Sequence, residues 1–434
     1  MRIALSSYSG VGAWFVLRLL SEGHDVDYHL SKSEFEDVLS GLISKPKIAS
    51  IDHRRTIQGF GYPSYKGYDL SFFDLTGRPR QAEASKAEVP TFGDGDFEHT
   101  LEDDREKGLQ FMEKAEINVP KYQKFTTSSE AKAFVRKEDK RYVFKPFSIN
   151  GHEQDTDTTY VSKDAEDMYS NLDHLFKMAK QAPFILQEYV KGTELSVEGW
   201  FNGEDFFNVT CDLEEKKFMN DNKGPNTGCG GNLVFAIHDD MRIFKETLGK
   251  TKTLLKEIGF KGVIDINSIV TSGECYSLEW GPRLGYLCCP VFANMYGSGF
   301  GEFLYAIASG KTPNVKWAAS YGAAVTISIP PYPTEVRIPK AKDVYIEGIN
   351  PENEEDLLNC FLYDVRLDKK RLVTSGNYGY IGAPMGTGDS ITEAFIKCER
   401  YLDRIQIPNM QYRTDIEKVC TKKFYDLEKD GWFS

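Results

Sequence analysis

The stretch Gly262-Val263-Ile264-Asp265-Ile266-Asn267-Ser268-Ile269-Val270-Thr271-Ser272-Gly273-Glu274-Cys275-Tyr276-Ser277-Leu278-Glu279-Trp280-Gly281-Pro282-Arg283 decides the fold. Its spacing predicts two antiparallel strands, Gly262–Val270 and Glu274–Glu279, joined by a turn at Ser272-Gly273. Successive strand side chains point to opposite faces, so Asp265 and Asn267 share a face. Asn267 and Glu279 can then meet across the ladder. Two oxygen-bearing side chains on one face form part of a magnesium site, which phosphate oxygens and water would complete. Asp265 could serve in place of Asn267, and the pair would equally suit a polar cross-strand contact without metal. Arg283 follows closely enough to steady charge on a phosphoryl group or a carboxylate, or to form a structural ion pair.

Upstream lie elements that could complete a nucleotide site. Val143-Phe144-Lys145-Pro146 puts a lysine at the end of a buried strand. A point cation there suits nucleotide phosphates, although a surface lysine reads the same way. Leu186-Gln187-Glu188-Tyr189-Val190 is a strand that could offer an edge to adenine, with Gln187 and Glu188 both candidates. Glu194, just beyond Gly192, could accept hydrogen bonds from ribose hydroxyls or be a solvated glutamate. The N-terminus reads as strand, small-residue turn, helix Ala13–Glu22 and strand, one unit of a parallel sheet rather than a signal peptide. Its Gly10-x-Gly12 turn could seat a phosphate at a helix N-terminus or serve packing alone. Asp74, Thr76, Gly77 and Arg78 follow another strand, where open sheets line ligand crevices.

The organisation follows from these elements. Residues 1–98 are expected to form an α/β Rossmann-like domain. Residues 99–312 are expected to carry the nucleotide, with a lid at about 120–184, and residues 313–434 to form a mixed β domain. Single helices are expected over Leu101–Ala115, Ile243–Ile258 and Ile391–Arg404. In the last region, strands are expected over Gly322–Ile329, Val344–Ile349, Cys360–Arg366 and Leu372–Ile381. The chain has 434 residues, 41% apolar and 27% charged, which suits a folded multidomain protein. A net charge of −12 argues against an extended nucleic-acid surface. No run reaches the roughly 18 apolar residues of a membrane helix. The eight cysteines include no Cys-x-x-Cys pair and no zinc spacing, so buried thiols in a reducing cytoplasm are expected.

The order of lysine, strand with glutamate, then acid and arginine after late antiparallel strands resembles the ATP-grasp fold. The loop Asp221-Asn222-Lys223-Gly224-Pro225-Asn226-Thr227-Gly228-Cys229-Gly230-Gly231 is similar to the Gly-Pro-Asn-Thr-Gly-Gly-Met-Gly signature of the phosphoribosylamine–glycine ligase (glycinamide ribonucleotide synthetase) family. Leu101-Glu102-Asp103-Asp104-Arg105, Val373-Thr374-Ser375-Gly376 and Tyr412-Arg413-x-Asp415-Ile416 resemble further segments of that family. The resemblance implies an ATP- and magnesium-dependent ligase joining glycine to 5-phosphoribosylamine through an acyl phosphate. By position, Lys145, Arg105, Gln187, Glu188 and Glu194 would hold ATP, and Glu279 with Asn267 the Mg2+. Lys145 and Arg283 would serve the chemistry. Gly10, Gly12, Asp212, Gly224, Pro225, Asn226, Thr227, Gly228 and Arg283 would meet the substrates. The resemblance also implies small-molecule partners only, a monomer or homodimer, and a cytoplasmic location.

Departures from the pattern qualify the substrates. The family's Gly-Lys-Gly-rich lid loop is Ser148–Asp155 here, polar and acidic. The asparagine of its Glu-x-Asn metal pair is missing after Glu279, a role Asn267 is expected to take over. The acids after the arginine give way to Gly285-Tyr286-Leu287-Cys288-Cys289-Pro290. Two alternatives follow. One is the same chemistry on another amino acid or amine, such as a modified nucleotide. The other is a non-catalytic ATP-binding paralogue.

Overall fold

A computed structural model describes residues 1–48, 65–74, 84–93, 95–147, 159–334 and 341–434. Strands β1 (Arg2–Ser7), β2 (Asp25–Leu30), β3 (Lys47–Ile48), β4 (Leu70–Phe73) and β5 (Thr91–Phe92) form a parallel sheet in the order β3-β2-β1-β4-β5. The helix Ala13–Ser21 follows β1 and buries Trp14, Phe15, Val16, Leu17 and Leu19. Such an arrangement is what a short apolar strand, a glycine turn and an apolar helix produce together.

Strands β6 (Tyr122–Phe125), β7 (Tyr142–Pro146), β8 (Tyr160–Val161) and β9 (Phe184–Glu188) build a second, antiparallel sheet in the order β6-β9-β7-β8. Its core is its own. Phe125, Tyr142, Phe144, Phe184 and Leu186 pack with Val135 and Leu172 of the helices Ser128–Glu138 and Ala165–Met178. The Phe144 and Phe184 rings stand 4.6 Å apart. A small separate core of this kind makes the sheet and its two helices a packing unit of their own.

The largest sheet draws on β10 (Thr193–Phe201), β11 (Phe206–Glu214), β14 (Gly231–Ala236), β15 (Gly262–Val270) and β16 (Cys275–Gly281), with a small hairpin β12 (Lys217–Met219) and β13 (Lys223–Asn226) projecting between β11 and β14. It continues past residue 312 into β17 (Tyr321–Val325), β18 (Ile327–Ser328) and β23 (Tyr380–Gly388), in the order β16-β15-β10-β11-β14-β17-β23-β18. Strand β20 (Cys360–Leu362) joins on β23. Strands β19 (Tyr345–Ile346), β21 (Val365–Asp368) and β22 (Arg371–Thr374) form a separate three-stranded sheet. The last third of the chain thus shares a sheet and a hydrophobic core with the middle third.

Several expected elements are interrupted, each for a local reason. The helix expected over Leu101–Ala115 is two, Asp96–Asp103 and Arg105–Lys114. Asp104 leaves the helical region, and its side chain accepts from the Lys107 amide, capping the second helix. The helix expected over Ile243–Ile258 breaks at Thr247 (φ −119°, ψ −109°), whose hydroxyl donates to the Ile243 carbonyl at 2.6 Å. The strand expected over Leu372–Ile381 is interrupted by Gly376 and Gly379, both at positive φ, and resumes as β23. Cys360–Arg366 likewise divides into β20 and β21. The strand expected over Gly322–Ile329 divides into β17 and β18, and that over Val344–Ile349 shortens to β19. Helices Cys288–Tyr296 and Ile416–Lys429 were not anticipated.

One buried residue ties the C-terminal segment to the projecting hairpin. Arg413, 2% exposed, forks onto Asp415 (Nε–Oδ1 2.8 Å, Nη2–Oδ2 3.0 Å). It also donates to the Lys217 carbonyl and to Asn222, each at 3.1 Å, and lies 3.5 Å from buried Glu215. The two sequence motifs at 224–228 and 412–416 are therefore one physical assembly. Arg413→Met is expected to lower stability by roughly 3 kcal/mol, because it strands buried carboxylates. Lysine is expected to restore little, since it lacks the planar fork. Urea unfolding of both variants checks this.

Candidate functional site

The period-two alternation of strands gathers polar residues on one face of the large sheet. Glu194, Ser196 and Glu198 of β10 stand on that face, with Thr210, Asp212 and Glu214 of β11. The register pairs Ser196 with Asp212 and Asn267, and Glu198 with Thr210 and Asp265. Asn267 pairs with Glu279, and Asp265 with Gly281, across β15 and β16. The alternate residues Leu195, Val197, Cys211, Leu213, Ile264 and Ile266 turn into the main core. Charge on one side and hydrocarbon on the other follows directly from this alternation.

The four-stranded sheet of β6 to β9 supplies the opposing wall. On β7 and β9, Tyr142, Phe144, Phe184 and Leu186 fill the lid core. The alternate residues Val143, Lys145, Ile185 and Gln187 occupy the other face, where Lys145 pairs with Ile185 and Val143 with Gln187. Ile185 belongs to the main core, so this face looks toward the body. The charged residues of the two faces lie close enough to shift one another's titration.

Lys145 is only 6% exposed, and no described residue offers it a hydrogen bond or ion pair. Burial, and secondarily Arg105, push its ammonium down to about 8. Glu279 shows the opposite balance. Burial would raise it, but Lys216, Lys145 and Arg105, with a hydrogen bond from Asn267, hold it at about 2. Glu194 also falls below its ordinary value despite burial, through Lys216 and Asn267. Lys216 Nζ and Asn267 Nδ2 each lie 2.8 Å from Glu194 Oε1. Lys216 is raised against burial by Glu214 and Glu194. Arg105, at the start of the helix that Asp104 caps, is lowered by burial and donates to the Pro146 carbonyl at 3.2 Å. Arg283 pairs with Glu102 at 3.0 Å and is raised by it.

Asn267 and Glu279 do face each other, as the spacing predicts. Asp265 is less suited to a cation. Burial raises it well above the carboxylate range, and it is packed so closely on Gly281 that a Cβ there would fall 2.4 Å from Oδ2. Gln187 and Glu188 also separate. Glu188 turns outward to Lys140 at 2.6 Å, whereas Gln187 is 2% exposed with its Nε2 unpartnered. A buried amide nitrogen without an acceptor is costly, and a ligand edge would satisfy it.

Of the remaining expected residues, Asp212 belongs to the polar face of the sheet and the others lie apart from it or at its rim. The Gly10 and Gly12 amides donate to Ser7 Oγ (2.9 Å) and Asp74 Oδ2 (2.6 Å). A carboxylate therefore occupies the position where a phosphate was expected. Gly224, Pro225, Asn226 and Gly228 are exposed on the hairpin, and Thr227 is anchored to the Lys216 carbonyl through its amide (2.7 Å) and hydroxyl (2.9 Å). Asp212 is buried in the floor and accepts from Asn232 Nδ2 at 3.1 Å. Thr76, Gly77, Arg78 and the loop Ser148–Asp155 lie outside the described residues. Lys216, Glu198, Glu214 and Glu102 escaped the sequence reading. The alternation Asp212, Glu214, Lys216 carried a signal for two of them. Elsewhere, Glu22, His24 and Glu302 have metal-like spacing, but Glu22 accepts from the Gly299, Phe300 and Gly301 amides and caps the helix Phe300–Ala308.

Residues 106–286 match the family model for the phosphoribosylglycinamide synthetase ATP-grasp (A) domain. The phosphoribosylamine–glycine ligase of Lactococcus lactis is 23% identical over 76% of this chain and 78% of its own length. The corresponding protein of Caldanaerobacter subterraneus is 25% identical over 77% and 80%. Among solved structures, the phosphoribosylamine–glycine ligase of Thermotoga maritima superposes with a TM-score of 0.72 at 20% identity, covering 96% of this chain and all of that one. The biotin carboxylase domain of Hydrogenobacter thermophilus 2-oxoglutarate carboxylase, solved with MgADP and bicarbonate, has a TM-score of 0.62 at 13% identity, covering 100% and 96%. The chain carries a phosphoribosylglycinamide synthetase-type ATP-grasp domain and is a distant, divergent relative of the phosphoribosylamine–glycine ligases.

Proposed function

We propose that this protein is an ATP-dependent carboxylate–amine ligase that forms an amide through an acyl phosphate. The observation that carries this reading is Lys145, a buried ammonium without a described partner, facing a carboxylate held ionised at Glu279. An isolated buried cation is expensive, and a polyphosphate is the anion that suits it. Lys145 and Arg105 would hold the phosphates, and Gln187 the adenine edge. Glu194 would take the ribose hydroxyls, exchanging its contact with Lys216. Glu279 and Asn267 offer the oxygen ligands that magnesium prefers, and the ion would neutralise phosphate charge.

The chemistry needs few groups from the chain. A substrate carboxylate oxygen attacks the γ-phosphorus, and ADP leaves. The amine then attacks the acyl carbon, and phosphate leaves with the electron pair of the broken C–O bond. Arg283 would orient the carboxylate and offset charge in both steps. The hairpin 224–228, beside Lys216, would border the second substrate.

Glycine and 5-phosphoribosylamine are the leading substrate pair, carried over from the relatives. A second reading, the same chemistry on another amine, is favoured by Asp74, whose carboxylate takes the Gly12 amide that a phosphate would need. ADP release is the test, with glycine and freshly generated phosphoribosylamine together and each omitted. Dependence on both supports the leading pair. Release with glycine and a different amine supports the second reading, and background release with every acid contradicts the ligase.

Two further outcomes follow. Arg283→Ala is expected to reduce kcat at least about 100-fold, with nucleotide affinity little changed. Nucleotide affinity is expected to fall as pH rises above about 8, where free Lys145 loses its proton. The fall can reach tenfold per pH unit until the ordinary lysine value of 10.5 is approached. The sign follows because the polyphosphate binds the protonated form. Lys145→Gln is expected to bind roughly 10–100-fold more weakly at neutral pH and to lose this pH dependence. Titration calorimetry across the pH range reads both effects.

A further inference from the structure

Away from the polar face of the large sheet, one buried imidazole points at two carboxylates without bonding to either. His24 immediately precedes β2, and its side chain is 4% exposed. Among the described residues its Nε2 has no hydrogen-bond partner. That nitrogen lies 3.8 Å from Glu22 Oε2 and 3.7 Å from Glu302 Oε2, beyond ordinary hydrogen-bond reach. The three atoms all lie within 4.8 Å of one another. Gly301 permits this approach, because a Cβ there would fall 2.1 Å from Nε2. A buried ring nitrogen left without a partner is costly, and an ion shared with the two carboxylates would satisfy it.

Capping leaves Glu22 able to take part. Its Oε1 accepts from Arg18 Nε at 3.2 Å and from the Gly299 and Phe300 amides at 3.0 Å. Its Oε2 accepts from the Gly301 amide at 2.9 Å, which leaves that oxygen a second lone pair. The same bonds hold the carboxylate still, so an ion would find it already placed. Glu302 lies in the first turn of the capped helix and is exposed, so its side chain is free to close on an ion. One imidazole and two carboxylates suit zinc, which takes nitrogen and oxygen ligands at about 2.0–2.2 Å. Two such bonds span up to roughly 4.1 Å, enough for the 3.8 Å between Nε2 and Glu22 Oε2. Magnesium prefers oxygen ligands alone, so the imidazole selects against it.

We propose that Glu22, His24 and Glu302 form a zinc site, with water as the fourth ligand. The ion fastens the segment between the helix Ala13–Ser21 and β2 to the helix Phe300–Ala308, and so ties the parallel-sheet unit to the body of the protein. Zinc takes the Nε2 lone pair of His24. The ring proton then sits on Nδ1, 3.3 Å from the Met1 amine, which accepts it as a neutral group after releasing one proton. The site is independent of the ligase reading and uses none of its residues.

Calorimetric titration of the full chain with zinc tests this, after treatment with a chelator and in an excess of magnesium that occupies Glu279 and Asn267. One zinc ion is expected to bind per chain and to raise the unfolding temperature, because the ligands come together only in the folded chain. Glu302→Gln and His24→Gln are each expected to weaken zinc at least tenfold and to abolish the rise in unfolding temperature. Glu302 is exposed, so its variant reads the site even where the buried His24 variant folds poorly. An unfolding temperature in chelator equal to that of the unaltered chain shows that a variant is folded. Absence of zinc binding, or zinc binding that is unchanged in Glu302→Gln, overturns the site. Magnesium competing with zinc on equal terms overturns it too.

Discussion

The architecture turns on burying a lysine ammonium opposite an ionised carboxylate. Removing either charge from water is unfavourable, and a single pair seldom repays that cost. Here the cost is spread over a network. Lys145, Arg105 and Lys216 hold Glu279 ionised, and Glu194 in turn stabilises Lys216. Lys145 remains the weak point, lowered by burial and by its cationic neighbour. A polyanion placed between the lid and the sheet would relieve it. Among the described residues none pairs directly with this ammonium.

The rest of the fold positions the members of that network. The break at Asp104 starts a new helix and sets Arg105 beside the Pro146 carbonyl, next to Lys145. The same turn leaves Glu102 within reach of Arg283. On the far side, Arg413 clamps the projecting hairpin, and Thr227 fastens it to the Lys216 backbone. The C-terminal segment thereby fixes the rim of the cleft, although none of its residues lies on the charged floor described above. The large sheet is continuous through β17 and β23, which joins the C-terminal segment to the same hydrogen-bonded framework.

Much of this was legible in the sequence because it depends on local periodicity. The strands around Asn267 and Glu279, their register and the place of Lys145 near the end of a strand all follow from alternation and turn residues. The parallel N-terminal unit followed from one strand, one turn and one helix. What escaped depends on contacts distant in the chain. Glu198 gains its setting from Cys289, 91 residues away, and Glu102 from Arg283, 181 residues away. The Gly10-x-Gly12 turn looked suited to an anion, but its acceptor is Asp74, 62 residues beyond Gly12. Asp104 and Thr247 interrupt helices through single side-chain hydrogen bonds, which periodicity alone does not reveal. Glu188 and Gln187 adjoin in sequence, and only the lid core decides which of them faces inward.

The most direct test of this account is a crystal structure with magnesium and a non-hydrolysable ATP analogue. The account predicts the triphosphate between Lys145 and the Glu279 side of the sheet, the metal on Glu279 and Asn267, and the adenine edge at Gln187. A nucleotide seated elsewhere, or one in this cleft whose phosphates leave Lys145 unpaired, would contradict it.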